Sequence, residues 1–180
     1  MKIYILRHGT TVWNETGRTQ GRRQNQLSKT GKELASEAAE KLKREKIEII
    51  YSSPLMRTMQ TTNIVNQFHN VTVIRHPLLT EIDQGVFSGR FWKSLSPEEK
   101  KHRLERDPEY GLESYEHAYQ RVKEFVETVL KHETHKNVLV VSHNNICSFM
   151  ELILTGQKVN FDDHDQINSF DNAEYKVFEL

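Results

Sequence analysis

The chain alternates between short apolar runs and longer segments in which apolar residues recur every three or four positions. Lys2–Leu6 has the length and β-rich composition of a buried strand. Further on, Leu34, Ala38 and Leu42 fall at helical spacing with Lys and Glu opposite, and Ser28 or Thr30 can cap that helix. IEIIYSS (47–53) reads as a second buried strand, and Pro54 is placed to open a helix running to about Asn70. Val71–Ile74 is a short third strand. Ser96, Pro97 and Glu99 form a capping box for a charged helix that stops before Pro108. Ser114 begins another helix, with Tyr115, Tyr119, Val122, Val126 and Val129 on or near one face. NVLVVSH (137–143) is the clearest buried strand. An apolar helix follows from about Asn145 to Leu154, stopped by Gly156, and EYKVFEL (174–180) reads as a last, edge strand.

Strands separated by helices need crossovers, so the pattern predicts an α/β fold: a three-layer sandwich, with a mainly parallel sheet covered by helices on both faces. The domain expected is a single one spanning 1–180. Ligands of such sheets bind beyond the carboxyl ends of the strands. Three strands end there in polar residues: Arg7-His8-Gly9, Ser52-Ser53-Pro54 and Ser142-His143-Asn144. Arg57 lies one helical turn past Pro54, near the same edge. Any one of these histidines or arginines alone would be read as structural. Two histidines and two arginines converging on one rim suit a phosphate, which arginine grips bidentately. Gly9 would let the backbone approach closely, and Thr11 and Asn14 can add hydrogen bonds.

Composition narrows the setting. Lys and Arg total 25, as do Asp and Glu, so no bulk field points to nucleic acid or an acidic membrane. One cysteine, Cys147, excludes an internal disulfide framework and suits the cytoplasm. No apolar run approaches membrane-spanning length and no leader is visible, so neither membrane nor nucleic acid is an expected partner.

The run RHGTTVWN (7–14) closely resembles the signature of the histidine phosphatase (phosphoglycerate mutase-like) superfamily. The resemblance continues through QGRRQNQLSKTG, YSSPLMRTMQTT, LLTEIDQGVFSG, GLESYEHAYQRV and VLVVSHNN, in family order. It implies a phosphoglycerate mutase-like fold with a short lid insertion around 86–112. It makes His8 the nucleophile that becomes phosphorylated, and Arg7, Arg57 and His143 the rest of the phosphate pocket. Thr11, Asn14, Gln20, Gly21 and Asn144 are further candidate phosphate contacts, and Glu81 is the proton donor. Asp83 and Glu15 are other carboxylates in these segments, and Ser88 stands where some members carry an acid. No cofactor or metal is required.

That set makes chemical sense. Phosphoryl transfer needs in-line placement and charge stabilisation more than elaborate bond-making. A neutral imidazole can attack phosphorus if its other nitrogen is held by an acceptor such as a backbone carbonyl. Two arginines and a protonated His143 would neutralise the equatorial oxygens, while Glu81 handles the leaving-group and water protons.

Three departures bear on substrate choice. Gln24 and Gln26 stand where the family commonly has Asp and Pro, beside the substrate entrance. Asn144 replaces a frequent glycine, its tolerance of left-handed backbone being a way to keep an N–H on phosphate. GLES replaces a more usual glycine pair, a change expected to be without consequence. His132 and His135 in HETH, and His164 in DDHD, are read as solvated rather than metal-binding; His102 and His117 read as surface. Between 90 and 106 lie Arg90, Lys93, Lys100, Lys101, Arg103 and Arg106, with Arg18, Arg22 and Arg23 at the mouth. They form either a rim for a second anionic group or a solvated helix paired by Glu98, Glu99 and Glu105. Phe87, Phe91 and Trp92 either wall a bulkier substrate or anchor the lid. The expected activity is hydrolysis of a small phosphomonoester. A phosphoglycerate mutase-type phosphotransferase and an inactive phosphate-binding adaptor are the alternatives.

Overall fold

A computed structural model of the chain describes residues 1–163, 165–167 and 169–180. Among them, β1 (Lys2–Arg7), β2 (Ile49–Ser52), β3 (Thr72–Arg75), β4 (Asn137–Ser142) and β5 (Tyr175–Glu179) make one sheet, ordered β3-β2-β4-β1-β5. All neighbours are parallel except β5, which runs antiparallel on β1 as an edge. The helices are α1 (Val12–Glu15), α2 (Lys29–Leu42), α3 (Met56–Asn66), α4 (Pro97–Leu104), α5 (Tyr115–Thr128) and α6 (Asn144–Thr155).

The period-two alternation of the central strands sorts the core into two layers. Ile3, Ile5, Tyr51, Val138 and Val140 pack under Val122, Phe125 and Phe149 of α5 and α6. Tyr4, Leu6, Ile50, Leu139 and Val141 face Ala38, Ala39 and Leu42 of α2 and Val65 of α3. Each large side chain buried in this way contributes on the order of 1.5–3 kcal/mol. The expected three-layer α/β sandwich is therefore the fold.

Most differences from the sequence reading lie at element ends. Ser28, not Thr30, caps α2, its Oγ accepting from Gly31 N at 3.0 Å. α3 starts at Met56 because Leu55 is still extended, and it ends at Asn66 rather than near Asn70. There the Asn66 amide takes Val71 N and donates to Val71 O, both at 3.0 Å, which folds the chain directly into β3. β1 runs one residue further, to Arg7, and the short α1 is an element the apolar pattern did not signal. Its cue is polar: Thr11 and Asn14 form a capping box. Residues 86–112 hold α4 and short 3-10 turns, with a separate small core of Phe87, Leu95 and Leu112.

Candidate active site

Register sets the site. β1 and β4 pair so that Arg7 lies opposite Ser142, and the ladder continues one step beyond through His8 N to Ser142 O at 3.0 Å. On the other side of β4, Ser53 N donates to Val141 O at 3.0 Å. His8, His143 and Ser53 thus leave adjacent strands side by side, and the two imidazoles meet edge to face with centroids 5.2 Å apart. Arg57 enters from the first turn of α3. The buried face of that helix is polar at its start (Arg57, Thr58, Thr61, Thr62), where it meets the strand ends and loop backbone, and apolar at Val65, where it packs on the sheet. Thr58 Oγ1 donates to Ser53 O and Thr61 Oγ1 accepts from Gly9 N, so these threonines tie the strand ends together. Gly9 is required by closeness: a Cβ there would sit 2.3 Å from Gly31 O.

His8 is buried and its Nδ1 lies 2.7 Å from its neighbour's carbonyl, Gly9 O. That contact assigns the proton to Nδ1 and leaves Nε2 as a lone pair, which accepts from Arg57 Nε at 3.1 Å. Burial, then Arg57 and Arg7, holds the His8 imidazole well below its usual range, so it is neutral at pH 7. Burial also pushes Arg57 down to about 10 and lowers Arg7, and both remain cationic at neutral pH. Arg57 is aimed by its Nη1 bond to Arg23 O and its Nη2 bond to Gly21 O. Arg7 is held by Phe170 O at 2.6 Å, while its buried Nε has no partner among the described residues.

Burial, with Arg57 and His8 close by, holds the His143 imidazole well below its usual range, so before substrate binds it is neutral at pH 7; the protonated ring expected opposite a phosphate belongs to the ligand-bound state. Its Nε2 lies 2.8 Å from Ser53 Oγ, at which Leu55 N already points from 3.4 Å. Nδ1 is buried without a partner among the described residues.

Arg7, His8 and Arg57 border a cavity of about 190 Å³ whose lining also includes Asn14, Gln20, Gly21, Glu81 and Asn144, while His143 is fully buried beside His8 and is not in that lining. Thr11 is not in that lining. It is buried beneath it, where its N and Oγ1 donate to Asn14 Oδ1 at 3.1 and 3.0 Å. Thr11 thus acts on Asn14 instead of on a ligand, and the Asn14 amide nitrogen is what remains for the cavity. Gly21 has φ +52, and a Cβ there would meet Ser88 Oγ at 2.8 Å, so only glycine fits between the cavity and residues 84–88. Asn144 is the first residue of α6 and is not among the residues with positive φ, so the left-handed backbone considered for it is not used. Its side-chain oxygen accepts from Phe170 N at 3.3 Å.

Glu81 reaches the cavity with Oε1 accepting from Ile82 N at 2.9 Å. Burial raises its carboxyl above the ordinary range, against the opposing pull of Ile82 N and of Arg57, Arg121 and Arg7. The other two carboxylates are not in the cavity lining. Asp83 caps the next turn through Gly85 N at 2.9 Å, and Glu15 is exposed away from the cavity.

Glu113, in the segment thought inconsequential, is the main residue the sequence reading missed. Its nearly buried carboxylate accepts from Arg121 Nε at 2.8 Å, Arg22 Nη2 at 3.0 Å and Asp83 N at 3.0 Å, fastening the loop that carries Glu81. Burial alone would raise its pKa, but Arg121, Asp83 N and His117 hold it at about 2. A depressed carboxylate stabilises the fold above its unfolded value, and the gain is lost as pH falls through about 2. Glu113→Gln is therefore expected to lower Tm by several degrees at pH 7, a gap that narrows below about pH 4. Thermal melts from pH 7 to pH 2.5 check this; a gap independent of pH would remove the charge from the explanation.

Gln24 is likewise structural: its Oε1 accepts from Met56 N at 2.8 Å, capping α3, and Gln26 is exposed. Neither lines the cavity. His135 Nδ1 lies 2.7 Å from Glu133 Oε1 and His102 Nδ1 2.8 Å from Asp107 Oδ2. No group of three potential metal ligands occurs among the described residues, and His164 lies outside them.

Fold and cavity together define an α/β protein with a cation-lined site centred on a histidine. Residues 3–180 match the histidine phosphatase superfamily (branch 1), and the chain belongs to that family. It is 36% identical over 191 residues to phosphoserine phosphatase 1 of Hydrogenobacter thermophilus, covering 100% of this chain and 87% of that protein. Among solved structures, the alpha-ribazole phosphatase of Shigella flexneri superposes with a TM-score of 0.86 at 22% identity, over 100% of this chain and 91% of that one. A mycobacterial glucosyl-3-phosphoglycerate phosphatase in complex with VO3 gives 0.82 at 22% identity, over 98% and 91%. The expectation of a phosphatase fold and class stands with that membership. No helix among the described residues is long and apolar enough to cross a membrane.

Proposed function

We propose that this protein hydrolyses a small phosphomonoester through a phosphohistidine at His8. The observation that carries the reading is the His8 tautomer: Nδ1 is committed to Gly9 O, so Nε2 holds a lone pair at the edge of a cavity lined by Arg7 and Arg57. Arg57 Nε rests on that lone pair and can turn to a phosphate oxygen when substrate arrives. Nε2 then attacks phosphorus, the ester P–O bond breaks, and the leaving oxygen takes the Glu81 proton. The Glu81 carboxylate next takes a proton from water, whose oxygen displaces His8 from phosphorus and releases inorganic phosphate. Charge on the equatorial oxygens is met by Arg7, Arg57, His143 Nδ1 and Asn14. Residues 86–112 serve as a lid, and the single buried thiol fits a cytoplasmic setting.

A panel of phosphomonoesters assayed for released phosphate tests this. Turnover is expected to survive exhaustive chelation by EDTA and to be inhibited by vanadate. Loss of activity with EDTA, restored by zinc or magnesium, would point to a metallophosphatase. Interconversion of phosphoglycerates without release would point to the mutase reading, and no turnover to a binding module.

A further inference from the structure

The buried face of α5 carries Ala118, Arg121, Val122 and Phe125, at positions i, i+3, i+4 and i+7. Three of these pack in the core, and the fourth is an arginine only 7% exposed. Apolar packing would serve the fold about as well there, because a buried ion pair gives little net stability over hydrophobic residues of similar volume. All three nitrogens of Arg121 are engaged. Nε and Nη2 pair with Glu113 Oε1 and Oε2 at 2.8 and 3.2 Å, and Nη1 donates to Leu78 O at 2.6 Å. Leu78 lies in the 3-10 turn Pro77–Leu79 that leads to Glu81. The next carbonyl, Leu79 O, accepts from Ser142 Oγ at 2.8 Å, one residue before His143. Arg121 and Ser142 thus hold the approach to Glu81 against α5 and β4.

The charged and titratable groups facing the Glu81 carboxyl are Arg7 on β1, Arg57 on α3, Arg121 on α5, Arg106 after α4 and the Cys147 thiol on α6. Burial pushes the thiol up, so it stays neutral. Arg57, Arg121 and Arg7 are the cations that draw the carboxyl down against its burial. Arg7 and Arg57 line the cavity, where a phosphoryl group offsets them once phosphohistidine has formed; Arg121 stands outside that lining. Glu113 does not cancel Arg121 outright, because its carboxylate also accepts from Arg22 Nη2 at 3.0 Å and lies 2.8 Å from His117 Nδ1. Arg22 in turn has Asp83 at 3.8 Å. The Arg121 charge reaches His143 as well.

We propose that Arg121 is a positioning residue for the reaction: pinned by Glu113, it holds the approach to Glu81 and supplies the positive charge that lets Glu81 ionise beside the phosphohistidine. The assignment deepens the phosphatase reading and rests on it. Arg121 touches no substrate and acts through Glu81 alone.

The test is single-turnover kinetics across pH. It follows formation of phosphohistidine from an alkyl phosphate, which needs Glu81 protonated, and its hydrolysis, which needs Glu81 ionised. Arg121→Gln removes the charge, so the carboxyl keeps its proton to higher pH and both limbs are expected to move up by roughly one pH unit. Phosphohistidine then accumulates at a pH where the native protein clears it. Arg121→Lys keeps the charge but loses the fork, so Tm is expected to fall while the limbs stay within a few tenths of a unit. Glu113→Gln removes the counter-charge and leaves Arg121 in place, so the limbs are expected to move down, by roughly half a unit. Each variant loosens the same loop. A merely structural role therefore gives no shift, or shifts of one sign, and only the charge gives opposite signs. Limbs unmoved in Arg121→Gln, or moved the same way in Arg121→Gln and Glu113→Gln, overturn the proposal. If Arg121→Gln does not fold, Glu113→Gln decides, and limbs that stay or rise overturn it. Native limbs that survive Glu81→Gln, or a native protein that forms no phosphohistidine, would instead strike the phosphatase reading of the site, and this proposal with it.

Discussion

His8→Ala is expected to remove phosphoenzyme formation altogether and to lower turnover by a factor on the order of 10⁴ or more. The size follows from the site having one nucleophile. His8 Nε2 is a lone pair at the cavity wall, whereas His143, the other imidazole, is fully buried outside the cavity lining with Nε2 on Ser53 Oγ. His143 therefore cannot replace His8 without leaving the serine and reaching the cavity. Rapid quenching of the native protein with labelled substrate should trap a phosphoryl group that is labile to acid and stable to base, and His8→Ala should show none. The substitution leaves Gly9 O and Arg57 Nε without their partner, so a melting curve belongs beside the assay; His8→Asn can keep a bond to Gly9 O and still lack the nucleophile. A fully active His8→Ala protein that melts normally would end the phosphohistidine mechanism.

The parts of this site that were legible in sequence are those fixed by strand ends. Apolar runs stopping abruptly at Arg7-His8 and Ser142-His143 place both imidazoles on one sheet edge, and the register of β1 on β4 does the rest. The resemblance of the flanking motifs then supplied Glu81, which periodicity alone would not have separated from Asp83. What stayed hidden depends on side chains meeting across large sequence distances. Nothing local in GLES shows that Glu113 will meet Arg22 and Arg121, whose partners are set by how the Glu81 loop lies on α5. The segment 90–106 mixes Glu98, Glu99 and Glu105 with its cations, and only packing separates Arg106, whose guanidinium is satisfied, from Arg103, whose buried Nε is not. α1 was missed for a related reason. Four residues with one polar capping box carry too short an apolar pattern to register, yet that box is what turns Asn14 toward the cavity.

The protonation state of His143 shows how the same burial that builds the site changes its chemistry. A charged imidazole would have been the simplest partner for phosphate, but Arg7 and Arg57 already fill the site with positive charge. The neutral form adds no further repulsion before substrate binds. A dianionic phosphoryl group reverses that balance, since opposite charge nearby favours the protonated ring. His143 can thus gain its proton with the substrate, not ahead of it.

Glu81→Gln is expected to separate proton transfer from phosphoryl stabilisation. Glutamine keeps the size of the side chain and an acceptor for Ile82 N, but it cannot cycle a proton. An alkoxide is a poor leaving group, so turnover of alkyl phosphates should fall by roughly 10²- to 10⁴-fold. p-Nitrophenolate leaves with little protonation, so the burst of phosphohistidine formation from p-nitrophenyl phosphate should be far less affected. pH adds a second discriminator. Burial raises the Glu81 carboxyl, so the protonated donor persists above the ordinary carboxylate range. Phosphohistidine formation from an alkyl phosphate should then decline as pH rises through that raised pKa. Hydrolysis of the phosphohistidine, which needs the carboxylate as base, should decline as pH falls through it. Glu81→Gln should abolish both limbs. Arg57→Ala, by contrast, should slow phosphohistidine formation from both substrates alike, because Arg57 meets the phosphoryl group they share. Single-turnover bursts across pH on the two substrates check the assignment. Equal losses on good and poor leaving groups, with the pH limbs intact, would remove Glu81 as the acid and leave the proton to another donor.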